Sequence, residues 1–229
     1  MNRAKLLEIL GRDLPRVVAL MGAGGKTTLL HVLGDMLAAR GERVVLTTTT
    51  HLGYEPQACA PATPEELNRA LEGQTGPVLA GYPDSSGRKL TGIPTDWYAR
   101  LVADHILVEA DGSRGLPLKY HRSFEPVIPR DTGLLVELAG LSALDRPVGE
   151  VLHGWREAGL DPRKPVTEER MAALLLRGLE ASGFSGRTLV VLNQGDTRTL
   201  EDRGGNIVAI LNRQGVTACV TRLKEGTQC

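Results

Sequence analysis

The sequence predicts an α/β fold, a mainly parallel sheet flanked by helices in three layers. Two observations lead there. Short β-rich, apolar runs alternate with longer segments whose apolar positions recur three or four residues apart, as strand–helix–strand crossovers require. At 229 residues the chain is also long enough for one substantial core, so a single domain over 1–229 is expected.

In chain order, the apolar run Val17–Met21 reads as the first strand, and the periodic segment Lys26–Arg40 as the first helix. A β-branched run over Val44–Thr49 follows, then a helix at Pro64–Glu72 and a strand at Val78–Gly81. Residues 82–94, "YPDSSGRKLTGIP", are rich in Gly, Pro and Ser and read as a hairpin or flexible loop, a lid or a plain connection. Asp96–Ala103 has helical spacing, and Ile106–Glu109 is a buried-strand pattern. Residues 112–133 hold three prolines and little periodicity; loops of that length are functional or disordered more often than neutral. Strands at Leu134–Leu138, Leu189–Leu192 and Ala218–Thr221 alternate with helices at Glu168–Ser182 and Leu200–Arg213. The sequence has no internal repeat and no low-complexity tract.

Lys plus Arg and Asp plus Glu both number 27, which removes any global attraction toward nucleic acid or an anionic membrane. Aromatic residues are 3%, too few for base-stacking platforms. Cysteines at 59, 219 and 229 have no CxxC spacing, so neither a disulfide framework nor a zinc ribbon is indicated, and a reducing cytoplasm fits. The N-terminus carries Arg3 and Lys5, but its apolar cluster is broken by Glu8, Arg12, Asp13 and Arg16, unlike a secretory signal. No stretch approaches transmembrane length.

Chemistry concentrates at "ALMGAGGKTTLLHVLG", 19–34, where a strand turns into a helix through glycines. Gly22, Gly24 and Gly25, with Ala23 between them, allow a turn sharp enough for backbone N–H groups to converge on an anion, and the helix N-terminus adds its positive dipole end. Lys26 is placed to reach outer phosphates and the Thr27 hydroxyl to ligate Mg²⁺, while Thr28 supports the helix start. The full G-x-x-x-x-G-K-[ST] pattern needs glycine at Leu20, so the match is a shortened variant. It resembles deviant phosphate loops of the SIMIBI class, whose extra lysine would fall at Met21, and of Mur ligases. A dinucleotide fingerprint would need glycine at Thr27 and an acid near Thr50, and has neither. An ordinary glycine-rich turn is the competing reading.

Downstream, "HILVEADGSRGLPLK" ends a strand in two carboxylates. Asp111 is the metal-side candidate and Glu109 the second, for Mg²⁺ or for orienting a nucleophile. Arg114 and Lys119 are placed to meet a second anion, or are plain surface charges. "VVLTTTTHLG" carries hydroxyls past the strand end, so Thr49, Thr50 and His51 are candidates for positioning metal or water, against packing and a bland loop histidine. "LNQGD" resembles the NKxD motif of GTPases with Gln194 for lysine: Asn193 and Asp196 would support and read the base, or Asp196 or Thr197 would merely cap the next helix. Cys59 is a selenium or persulfide carrier or an incidental thiol.

Taken in order, "GAGGKTT", "TTTTH", "EADGSRGLPLK", "EPVIP", "VTEERMAALLL" and "LNQGD" resemble the YqeC family, described as accessory proteins for selenium-dependent molybdenum hydroxylases or selenium cofactor biosynthesis proteins. The resemblance implies a P-loop nucleotide-binding domain, with ATP or GTP and Mg²⁺ as cofactors and a molybdenum hydroxylase or its maturation proteins as partners. It matches Gly22, Gly24, Gly25, Lys26 and Thr27 to the nucleotide loop, and Glu109, Asp111, Arg114, Lys119 and Glu125 to a second block. His153 in "VLHGW" matches a family histidine, although Gly154 stands where arginine is usual. An NTP-hydrolysing or nucleotidyl-using enzyme, a nucleotide-gated carrier or switch, and a kinase or ligase acting on a small acid all fit these residues.

Overall fold

A computed structural model describes residues 14–223 together with Leu6, Ile9 and Leu10. Arg3, Lys5, Glu8, Arg12, Asp13 and Cys229, named above, lie outside them. Strand β1, Val17–Gly22, is buried at every position, because both of its faces are covered. Helix α1, Lys26–Ala38, covers one face. Then come β2, Val44–Thr48, the short β3, Leu52–Gly53, and α2, Pro64–Glu72, which the Thr63 hydroxyl caps by accepting from Glu66 N–H.

β4, Val78–Leu79, precedes β5, Gly81–Pro83, and β6, Lys89–Gly92. The chain continues through a 3₁₀ segment, Thr95–Arg100, to β7, His105–Glu109, β8, Leu118–Lys119, and β9, Leu134–Gly140. After a 3₁₀ turn at Leu141–Ala143 come α3, Val148–Val151, β10, Leu152–His153, α4, Glu168–Ala181, β11, Arg187–Asn193, α5, Arg198–Arg213, and β12, Ala218–Val220.

Seven strands form the central sheet in the order β12-β11-β9-β1-β7-β2-β4, every pairing parallel. Alternation along the strands makes the three layers. Val18, Leu20, Leu46, Leu107, Val136 and Val191 pack under Leu29, Leu30, Leu33 and Leu37 of α1. Their neighbours face the other way: Val17, Val45, Ile106 and Val108 meet Leu67 and Leu71 of α2, while Val190 and Leu192 meet Met171 and Leu175 of α4 and Ile207 and Leu211 of α5. Because β1 is central, its C-terminal end delivers the glycine bend to the middle of one sheet edge, where α/β folds place ligands.

Three expectations are corrected. The run 78–81 is one strand in pattern but two in structure, with Gly81 in a separate antiparallel sheet of order β3-β6-β5. The helix at Asp96–Ala103 is a 3₁₀ segment that stops at Arg100: Leu101 turns extended, and the Arg16 guanidinium takes the freed Tyr98, Leu101 and Ala103 carbonyl oxygens. The loop at 112–133 contains β8, which pairs in parallel with β10 at Leu118↔Leu152 and Lys119↔His153. The hairpin expected at 82–94 is present as β5 and β6. Among the described residues, no helix is long and apolar enough to cross a membrane.

Candidate functional site

The bend begins where Gly22 takes φ +92 and Gly24 φ +76, a region closed to most side chains. A Cβ on Gly24 would overlap the Gly140 backbone nitrogen and lie 2.6 Å from its Cα, so only glycine lets the bend lie on β9. Three amides inside the bend are engaged by protein. Gly22 N–H donates to Asp111 Oδ2 at 3.0 Å, Ala23 N–H to the Leu138 carbonyl at 2.9 Å and Gly24 N–H to the Leu116 carbonyl at 3.3 Å. The acceptors lie beneath the loop and in the 112–133 segment. Gly22 and Ala23 thus shape the cradle from below rather than face a ligand.

The helix start differs. Gly25 is the N-cap at φ +125 with no side-chain cap, and among the described residues the N–H groups of Gly25, Lys26, Thr27 and Thr28 have no acceptor. These amides, at the positive end of α1, border a cavity of about 900 Å³. Asn193 holds the bend from the side. Its Nδ2 donates to the Gly24 carbonyl at 2.8 Å, and its Oδ1 accepts from Leu223 N–H at 3.1 Å.

Behind the bend lies a buried charge cluster. The Lys26 ammonium donates to the Gly22 carbonyl at 2.6 Å and stands 3.2 Å from Asp111 Oδ1 and 3.9 Å from Glu109 Oε1. Asp111 is fully buried, and its Oδ2 also faces Lys119 Nζ at 3.1 Å and His121 Nε2 at 3.0 Å. Burial alone would raise the Asp111 carboxyl; the His121 hydrogen bond and the charges of Lys26 and Lys119 outweigh it and hold the group below the usual carboxylate range. Lys119 Nζ also donates to Glu125 Oε2 and the Gly112 carbonyl, both at 2.6 Å. Further in, Glu137 on β9 lies 3.9 Å from His121 Nδ1, and burial with the nearby Asp111 charge pushes its carboxyl well above the ordinary value.

The two strand-end carboxylates have exchanged expected positions. Asp111 was the expected metal-side group, yet it is sealed behind the loop. Glu109 borders the cavity and accepts from the Thr27 hydroxyl at 2.8 Å. Burial raises the Glu109 carboxyl, an effect Lys26 and the Thr27 hydroxyl partly offset. Glu109 is the last residue of β7, whereas Asp111 lies beyond the strand, in the turn that folds back under the bend, where Gly22 N–H, Lys119 and His121 hold it.

The cavity gathers Gly24, Gly25, Lys26, Thr27 and Thr28 with Thr50, His51, Glu109, Arg114, Glu125, His153, Asn193 and Asp196. Thr49, expected as a catalytic residue, is not part of its lining; its hydroxyl donates to the Val127 carbonyl at 2.6 Å and fastens the 112–133 segment. Lys119, read as meeting a second anion or as a surface charge, is neither, being 3% exposed inside the charge cluster. Thr197 caps α5, accepting from Leu200 N–H, which leaves Asp196 free in the cavity wall. His153 is displaced downward by burial and by the Lys119 and Arg122 charges, so its imidazole is neutral at pH 7. Cys59 sits half-buried in a separate cavity, its thiol raised by burial and Glu66.

Sequence reasoning passed over Lys89, Arg122, Ser142, His121 and Glu137. The first three border the cavity; the last two build the cluster. Glu137 did leave a signal, a lone carboxylate in the apolar run "LLVELAG", which in a strand buried on both faces demands a partner or a proton.

Among the described residues, no three of His, Cys, Asp or Glu converge as a metal-ligand set. The Thr27 hydroxyl and Glu109 carboxylate form a pair of hard oxygen donors, the type that suits Mg²⁺ when phosphate and water complete its shell.

Comparison with known proteins adds the lineage. The family described as YqeC protein matches residues 18–156. The uncharacterized protein YqeC of Escherichia coli (strain K12) is 33% identical over 187 residues, spanning 75% of this chain and 72% of the relative. The matched region begins in β1, contains the bend and the Glu109–Asp111 turn, and ends beyond His153. A match over more than half of the chain, together with that identity, makes this chain a member of the YqeC family.

Proposed function

We propose that the chain binds ATP or GTP with Mg²⁺ and hydrolyses it, as a cytoplasmic accessory protein in the maturation of selenium-dependent molybdenum hydroxylases. The observation that carries the nucleotide reading is the row of amides from Gly25 to Thr28, without protein acceptors, opening on a 900 Å³ cavity beside Lys26. The maturation role and the partner hydroxylase rest on the family resemblance, and the cytoplasmic setting on the cysteine pattern.

In this reading the amides and Lys26 bind phosphate oxygens, with the ammonium exchanging the Gly22 carbonyl for them. Thr27 and Glu109 would hold Mg²⁺, whose charge neutralises the phosphates. Thr50 and His51 border the same cavity and are placed to orient the attacking water. Asp196, with Asn193 behind it, would contact the base. Calorimetric titration of Mg·ATP and Mg·GTP, followed by measurement of phosphate release, tests the proposal. Equal turnover by wild type and Lys26→Ala would sink it.

One observation favours a nucleotide-gated switch with slow intrinsic turnover as a second reading. Gly24 N–H is bonded to the Leu116 carbonyl, so the phosphate loop touches the 112–133 segment directly. Limited proteolysis with and without nucleotide discriminates, since identical cleavage patterns count against switching.

A further inference from the structure

The cations around the cavity are not equally satisfied. Lys26 is neutralised by Asp111 and Glu109, and Arg122 pairs with Glu157 at 2.7 Å. Among the described residues, the side chains of Arg114 and Lys89, both exposed residues on the cavity wall, make no hydrogen bond or ion pair, and of the two only Arg114 stands beside Arg122 and His153 in the 112–133 segment and its β10 partner. The Arg114 backbone holds φ +53, in the left-handed region, an arrangement that for a residue with a side chain persists where the surrounding structure or function requires it. Arg114, Arg122, Glu125 and His153 all line the one cavity, and the Glu125 carboxylate is held there by Lys119 at 2.6 Å. Parallel pairing of β8 with β10, in the register Lys119↔His153, ties the His153 backbone to the 112–133 segment.

An unpaired guanidinium, a neutral imidazole able to donate one N–H, and a nearby paired arginine make a site for a planar or tetrahedral oxyanion. The amides at Gly25–Thr28 and Lys26 already meet the needs of a phosphate chain, which leaves this second group of donors without a role.

We propose that Arg114, Arg122 and His153 form a second ligand site, for a small oxyanion of the carboxylate or phosphate type that binds together with the nucleotide. This rests on the nucleotide reading of the same cavity. It assigns Arg114 to a co-substrate rather than to the nucleotide's own phosphates.

The test loads wild type with the better-binding Mg·nucleotide in non-hydrolysable form, then titrates inorganic phosphate and, separately, succinate by calorimetry. The expected result is binding of at least one probe to the loaded protein. Arg114→Ala then weakens that probe at least about tenfold, as loss of a charge-assisted contact implies, and Arg114→Lys recovers part of it. Nucleotide affinity in both variants stays within about threefold of wild type. Binding of neither probe overturns the proposal, as does an equal loss of probe and nucleotide in Arg114→Ala, which would assign the guanidinium to the nucleotide. The nucleotide titration is read first: its failure sinks the nucleotide reading, whereas nucleotide binding without oxyanion binding sinks only the second site.

Discussion

The Lys26 ammonium and the Asp111 carboxylate stand 3.2 Å apart behind the glycine bend, in residues that are 4% and 0% exposed. A buried pair of this kind contributes little net stability over an apolar pair, but removing one member strands the other. Asp111 also accepts from the Gly22 amide and faces Lys119 and His121. Asp111→Ala is therefore expected to lower unfolding free energy by about 3–5 kcal/mol in urea titrations. Asp111→Asn, which keeps an acceptor for Gly22, should lose less.

The exchange of roles between the two carboxylates separates binding from stability. Thr27→Val and Glu109→Gln are expected to remove most of the Mg²⁺ dependence of nucleotide affinity, at least about tenfold, because each takes one hard oxygen donor from the pair. Titrations with Mg²⁺ and with EDTA check it. If Asp111→Asn alone abolished Mg²⁺ dependence while folding normally, the buried aspartate would have to reach the metal after all.

Two glycines with positive φ should respond differently to alanine. Gly24 lies against the Gly140 backbone, so Gly24→Ala is expected to cost more than about 2 kcal/mol and to weaken nucleotide binding. Gly87, at φ +64 in the hairpin turn with open space around its Cβ position, should cost only about 1 kcal/mol and leave binding intact. Thermal melts on both variants measure the contrast.

Glu137 imposes a pH dependence of known sign. Its folded-state carboxyl titrates well above the ordinary 4.5, so from that value upward the native state keeps a proton that the unfolded chain has released. Its contribution is complete below pH 4.5 and is lost as pH rises toward the folded-state value. Asp111 works the other way, contributing above its ordinary 3.8 and failing below it. Glu137→Gln should match wild type near pH 4 and exceed it at pH 7, and urea midpoints at the two values decide.

At the β11 exit, capping and base recognition fall on neighbouring residues. Thr197→Ala is expected to cost about 1 kcal/mol, as a lost N-cap, with nucleotide selectivity unchanged. Asp196→Ala should leave stability unchanged and shrink the affinity difference between ATP and GTP.

Where pattern and physics coincide, the sequence was sufficient. The short, mostly apolar runs of β1, β7 and β9, rich in Val, Ile and Leu, read as strands covered on both faces, and the GGKTT bend marks a strand-to-helix turn. Legibility failed where long-range contacts decide. Arg16 takes the carbonyl oxygens freed at the end of the 3₁₀ segment from more than 80 residues away, and nothing local in "TDWYARLVA" announces it. In "VEAD" the sequence favours Asp111 over Glu109, whereas the fold buries Asp111 and leaves Glu109 at the cavity. Lys89 enters the site from a separate small sheet, a placement no spacing rule contains.

Asn193 uses both ends of one carboxamide, grasping the Gly24 carbonyl with one and the Leu223 amide with the other. The stretch after β12 is thus a mechanical anchor for a turn made some 200 residues earlier in synthesis, at Gly24. A nascent chain halted short of Leu223 would have its glycine bend laid down but unfastened on that side, so ligand competence should arrive late in translation.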